Sequence, residues 1–145
     1  THFINIKIFK CMITKDFVKD IELYICEKFG YRNSVYVNPT CNGCCIDIRE
    51  KDVKLYFRLW EYSKGVNGFP DRCIILVNHN FKKNHQENLL DLVKFFKEYA
   101  PLYGFHYFGI ENDMKGYHRL LGLKPTTSYR FDYDCYAAPL ATINV

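Results

Sequence analysis

The chain has no apolar run near the roughly 20 residues that cross a bilayer, and its polar, charged N-terminus lacks the apolar core of a secretory leader. These absences predict a soluble chain with no membrane partner. It also has no block of Lys and Arg: the formal charge of +4 is spread among interleaved Asp and Glu. That pattern argues against nucleic acid as a partner and still admits an anionic ligand. The 7 cysteines are odd in number, and Cys11, Cys26, Cys45 and Cys73 sit inside apolar runs. Free thiols that pack as small hydrophobes in a reducing, cytoplasmic setting are therefore expected. Cys41, Cys44 and Cys45 form a C-x-x-C-C cluster without a second C-x-x-C or a His pair. A closed zinc site wants four ligands, so no metal is expected; Cys45 opens a buried strand and Cys41 and Cys44 line a turn around Gly43. Internal repeats, low-complexity tracts and linkers are missing too, which predicts one domain over residues 1–145.

What is present is apolar and aromatic. Hydrophobic residues make up 48% of the chain and aromatics 17%, with 12 Tyr and 12 Phe, enough for an aromatic core with Tyr hydroxyls at its edge. Alternation over His2 to Phe9 predicts a first strand. Thr14 then serves as helix N-cap, Phe17, Ile21, Tyr24, Ile25 and Phe29 recur at helical spacing, and Gly30 stops the helix. A loop over Tyr31 to Gly43 carries a short strand at Val35 to Val37. Ile46 and Ile48, a turn through Glu50, Lys51 and Asp52, and then Leu55, Phe57 and Leu59 predict an antiparallel hairpin with one buried face. After a loop over Tyr62 to Asp71, the continuous apolar run Cys73 to Val77 suits a central strand. A helix over Gln86 to Ala100 ends where Pro101 disfavours helical geometry before it. A strand at Phe105 to Ile110, a short helix at Lys115 to Leu121 closed by Gly122, and a last strand through Tyr129, Phe131 and Tyr133 complete the order.

Several of these pieces together, the apolar strand Cys73 to Val77, the long helix, the Tyr103-Gly104-Phe105 step, Asn112 beyond the next strand and the ending Leu121-Gly122-Leu123, resemble the GCN5-related N-acetyltransferase (GNAT) superfamily. The resemblance covers residues 73–133 well and the first part of the chain in element order only. It implies an α/β (α+β) fold: a mixed, mainly antiparallel sheet with a splayed parallel strand pair and helices on both faces. It also implies acetyl-CoA as cofactor, with Val77, Asn78 and His79 along the pantetheine arm, Lys82, Lys83 and Asn84 at the pyrophosphate, and Asn112 nearby. The physical basis is a strand edge that pairs with amides and a helix N-terminus that attracts phosphate.

Two features depart from that family. The loop over residues 81–88 reads F-K-K-N-H-Q-E-N, without the glycines through which the family's backbone approaches pyrophosphate. Asn84 in a left-handed conformation, with Lys82, Lys83 and His85 as cations, is one substitute; a self-capped helix with solvated lysines is the other. The last helix, N-D-M-K-G-Y-H-R-L-L-G-L, is one residue shorter than the family pattern, so either Tyr117 or His118 stands where the family's acid belongs. Glu61, after the hairpin, and His79 are the candidates for a base. The stretch Glu98 to Gly122 further resembles GNAT-like proteins of short-tailed bacteriophages, through Asn112, His118, Arg119, Leu120 and Gly122.

Two functions follow from the resemblance. One is acyl-CoA-dependent transfer of an acetyl group to a small-molecule or protein amine, with Asp47, Glu50 and Asp52 as an acidic edge for a cation. The other is a non-catalytic GNAT-like interaction protein, from a phage virion or host-targeting, that acts on a protein partner in the host cytoplasm or virion.

Overall fold

In the computed structural model the described residues are 2–63, 68–126 and 134–145, with side chains described from Lys15 onward. The chain opens with a helix rather than a strand: α1 spans His2–Phe29. The expected strand over His2 to Phe9 and the N-cap at Thr14 both fall inside it. The reason is local, since no Gly or Pro interrupts the chain between His2 and Phe29, and Ile4 and Ile8 satisfy a helical i, i+4 spacing as well as an alternating one.

Among the described residues, seven strands follow in one sheet, β1 (Val35–Thr40), β2 (Gly43–Arg49), β3 (Val53–Trp60), β4 (Cys73–Phe81), β5 (Tyr107–Ile110), β6 (Lys124–Pro125) and β7 (Tyr136–Pro139), in the spatial order β1-β2-β3-β4-β5-β7-β6. The hairpin is present in the expected register, with Ile46 opposite Phe57 and Ile48 opposite Leu55. Of the neighbouring pairs, β4 and β5 alone run parallel. The sheet is thus mixed and mainly antiparallel, as expected. The last strand expected, through Tyr129, Phe131 and Tyr133, lies outside the described residues. Gly43 begins β2 at φ 147°, and a Cβ there would stand 2.0 Å from the Leu59 carbonyl oxygen, so only glycine allows the hairpin to close.

Helix α2 spans His85–Tyr99, a 3₁₀ turn follows over Ala100–Tyr103, and α3 spans Tyr117–Leu121. The buried face of α2, Leu89, Leu92, Val93 and Phe96, packs on Phe57, Ile74 and Phe108 from the sheet and on Phe17, Ile21 and Ile25 of α1. Phe17 sets its edge to Phe96 at 6.5 Å and stacks on Tyr103 at 5.0 Å between centroids. Each such ring contributes about 2 kcal/mol by burial. Tyr24 of α1 donates to Asp91 of α2 at 2.6 Å, and Lys28 pairs with the same carboxylate at 2.9 Å.

The opposite face of the sheet carries a smaller cluster of Phe69, Cys73, Ile75 and Cys135. Phe69 sits on Gly109, where a Cβ would come within 2.5 Å of the ring. Among the described residues, the buried side chains of α1, α2 and α3 all join the larger cluster, so the expectation of helices on both faces is met on one of them.

Candidate functional site

Strand β4 changes character along its length. Cys73 to Leu76 are buried, hydrogen-bonded to β3 on one side and to β5 on the other. Pairing with β5 ends where Ile110 stands opposite Leu76, the last bond being from the Glu111 amide to the Leu76 carbonyl at 2.9 Å. Beyond it β4 continues to Phe81, longer than its apolar run, because β3 still pairs with it, Tyr56 opposite Asn78 and Leu55 opposite His79. From Val77 onward no described residue pairs with the edge that faced β5.

The register slips at the same point. Phe57 faces Leu76 and Tyr56 faces Asn78, leaving Val77 as an extra residue, a bulge. Had the strand alternated regularly from Leu76, Asn78 would face the helices. The bulge instead puts His79 and Phe81 on the helix side, beside core residues Leu55 and Val53. The resulting cleft, of about 350 Å³, is lined by Val77, Asn78, His79, Asn80, His85, Asn112, Asp113, Met114, Lys115 and Tyr117. This lies within the size range of small-ligand sites.

Two imidazoles occupy one wall. His79 Nδ1 lies 2.9 Å from His85 Nε2, and the Phe81 amide donates to His85 Nδ1 at 3.1 Å. The Tyr117 ring packs against both, at 5.3 Å from His79 and 5.5 Å from His85. Burial, and then the neighbouring His85, push His79 down to about 4, so it is neutral near pH 7. His85 is shifted down as well, first by burial.

The opposite wall depends on Asp113. Its buried carboxylate accepts the Tyr117 amide at 3.0 Å, the His118 amide at 2.7 Å and His118 Nδ1 at 2.6 Å. It thereby caps the first turn of α3, where free N–H groups need acceptors. Asn112, at φ 58°, makes the bend between β5 and this loop. The other side of His118 stacks on Tyr136, with centroids 3.6 Å apart and planes 2° from parallel. Of the two aromatic residues at this turn, Tyr117 therefore lines the cleft and His118 is turned away from it.

At the far end His85 opens α2, so the N-terminus of that helix borders the cleft. Asn84 holds the left-handed conformation anticipated from its type, φ 52° and ψ 50°. The Asn88 side chain donates to the Lys83 carbonyl at 2.8 Å, and the Lys82 amide to that of Asp52 at 3.0 Å. Both lysine side chains are exposed on this turn, outside the cleft lining.

Val77, Asn78, His79, Asn112 and Tyr117 are thus brought together. Glu61 is not: it follows Trp60, which pairs with Cys73 at the other end of β4, and its amide bonds to Asn42. Of the acidic edge, Asp47 pairs with Arg49 at 2.8 Å and Asp52 accepts from the Tyr31 hydroxyl at 2.9 Å. Cys41 is exposed in the turn, whereas Cys44 lies within β2 rather than in the turn expected for it, buried in the large cluster. Cys45 is buried as expected, and burial pushes the Cys44 thiol up to about 12. Asp113 is a residue that sequence reasoning did not place here, and His85, expected as a cation for phosphate, stands in the cleft wall as the partner of His79. Asp113 was legible as an acidic residue just ahead of a short helix, while the meeting of His85 with His79 depends on the turn at Asn84.

No family model matches the chain, and no curated protein matches it. Among solved structures it is similar to a probable acetyltransferase from Staphylococcus epidermidis, at 13% identity over 66% of this chain and 67% of that one, with a TM-score of 0.42. A likeness at this level defines no activity.

Proposed function

We propose that the chain is an acyl-CoA-dependent N-acyltransferase of the GNAT type, which transfers an acetyl group to an amine. The observation that carries this reading is the open edge of β4 over Val77 to Asn80, bordered at one end by the N-terminus of α2. A strand edge pairs with an extended chain of amides, and a helix N-terminus favours an anion; the pantetheine arm and pyrophosphate of acyl-CoA offer the two in that order.

The residues present fit that ligand. Val77, Asn78 and His79 lie along the arm, Asn112 borders it, and the α2 N-terminus with Asn84, Lys82 and Lys83 faces the pyrophosphate in place of a glycine loop. Acyl-CoA supplies an activated thioester. Tyr117, in the cleft wall, would give its hydroxyl proton to the departing thiolate and recover one from solvent. Among the described residues, Asp113 is the carboxylate that lines the cleft, and it is committed to α3. The acceptor amine therefore attacks in its neutral form and releases its proton to solvent.

Thermal unfolding with and without millimolar acetyl-CoA tests the reading. A ligand that binds the native state raises its stability by about 2.7 kcal/mol at a hundredfold excess over Kd. A rise in Tm that a matched concentration of acetate does not produce is expected; an unchanged Tm sinks the proposal. That outcome would favour the second reading, a GNAT-like interaction protein, which the glycine-free turn at Lys82 to Asn84 supports.

A further inference from the structure

The two imidazoles in the cleft wall fix each other's chemistry, starting from a group that cannot change its role. The Phe81 amide is a donor only, so His85 Nδ1, at 3.1 Å, is an acceptor. The proton of neutral His85 therefore sits on Nε2. That nitrogen lies 2.9 Å from His79 Nδ1, which must then be an acceptor as well, since two lone pairs or two N–H groups facing each other would repel. The proton of neutral His79 is left on its own Nε2, which bonds to no other described residue. The spacing encodes this chain. Residues 79 and 81 share a face of β4 after the bulge at Val77, and the left-handed turn at Asn84 folds residue 85 back over both.

We propose that His79 serves the cleft as a fixed, neutral hydrogen-bond donor, its Nε2–H held by the chain from the Phe81 amide through His85, and that it recognises an uncharged carbonyl oxygen of the bound arm. This deepens the acyl-CoA reading, on which the identity of the arm rests; the tautomer chain stands apart from it. His79 is then no base: its Nδ1 lone pair is taken and its Nε2 already carries a proton. Protonating either ring would set two N–H groups against each other or break the bond from Phe81. Lys115 in the facing loop opposes that added charge, Asp113 beside it favours it but is bound to the α3 amides, and Tyr117 offers an uncharged ring. The shift of His79 to about 4 agrees with a ring that stays neutral. A neutral N–H matches a carbonyl oxygen, whereas a phosphate would be better served by the cations on the turn before α2.

Two measurements on the full chain test this. Two-bond 15N–1H correlation spectra of the imidazoles at pH 7.5 should show His79 and His85 both as the Nε2–H tautomer; the Nδ1–H form at either would overturn the proposal. Calorimetry with pantetheine, which has the amides and no phosphate, compares His79→Gln, whose amide N–H reaches about as far as Nε2, with His79→Asn, whose does not. Folding of both variants is verified by their near-ultraviolet dichroism. His79→Gln should bind within about threefold of the wild type and His79→Asn about tenfold more weakly, the effect of one hydrogen bond. Equal affinities for the two variants would overturn the donor role. Wild-type chain that binds no pantetheine, with both tautomers as stated, would overturn the carbonyl assignment through the acyl-CoA reading rather than through the tautomer chain.

Discussion

The two halves of β4 are one strand with two physical jobs. From Cys73 to Leu76 every side chain is buried, and both edges are hydrogen-bonded. From Val77 to Asn80 the side chains are half-buried or exposed, one edge is open, and the residues are Asn, His and Asn after the bulged Val77. Composition alone does not make the difference. β5 ends at Ile110, and the bend at Asn112 carries the chain off toward α3, so the first half has a neighbour to bury it and the second does not. A sheet makes a polar cleft cheaply in this way, by letting one strand outrun its partner instead of hollowing the core.

The largest effect should come from damage to the buried half. Ile74 is 0% exposed and belongs to the large cluster under α2. Ile74→Ala should cost about 3 kcal/mol through lost burial and the cavity left behind. Asn78→Ala, four residues along the same strand and exposed, should stay within about 0.5 kcal/mol. Urea unfolding of both variants measures the contrast, and equal losses would mean that the two halves are not distinct.

Much of the first half was legible in the sequence, and less of the second. The run Cys73 to Val77 and the helical spacing of Leu89, Leu92, Val93 and Phe96 are strong periodic signals, and they yielded β4 and α2 to within a residue at most ends. The exception within β4 was its polar extension to Phe81. That extension is stabilised by β3 across the sheet, a tertiary fact that no local pattern records. The N-terminal helix was expected from Thr14 onward, and its first turns were missed because the alternation over His2 to Phe9 fits either period. In the cleft, Val77, Asn78, His79, Asn112 and Tyr117 could be named from the family resemblance. The bulge at Val77 could not, and it decides which face His79 takes. Tyr117 and His118 were left equivalent by sequence; Asp113 separates them, by holding the His118 imidazole against Tyr136.

Acid should strike the cleft half before the core. A histidine held at about 4 in the folded chain and at the ordinary 6.5 when unfolded binds its proton more readily unfolded. The stability it confers is complete above pH 6.5 and is lost as pH falls toward 4. His85, shifted in the same direction, adds to the loss, as does Lys115 through its repulsion, while Asp113 opposes it. Allowing for partial exposure and for coupling of the two rings, unfolding free energy should drop by about 2 kcal/mol between pH 7 and pH 4.5. In His79→Gln the same interval should be flatter. An identical slope in that variant would show that the acid sensitivity arises elsewhere.

The smallest effect on stability should accompany a clear one on binding, at the turn that joins the open half of β4 to α2. Lys82 and Lys83 are exposed there and take part through their backbone groups. Lys82→Ala combined with Lys83→Ala should therefore leave unfolding unchanged to within about 0.5 kcal/mol. If these ammonium groups stand in for the missing glycine backbone, the same variant should bind coenzyme A about tenfold more weakly. Its affinity for pantetheine, which has no phosphate, should not change, and raising the salt concentration should erase most of the difference for coenzyme A. Equal losses for the two ligands would move the lysines from the phosphate to the arm. An unchanged affinity for both would make the turn a solvated connector, and would leave the helix N-terminus alone to hold the anion.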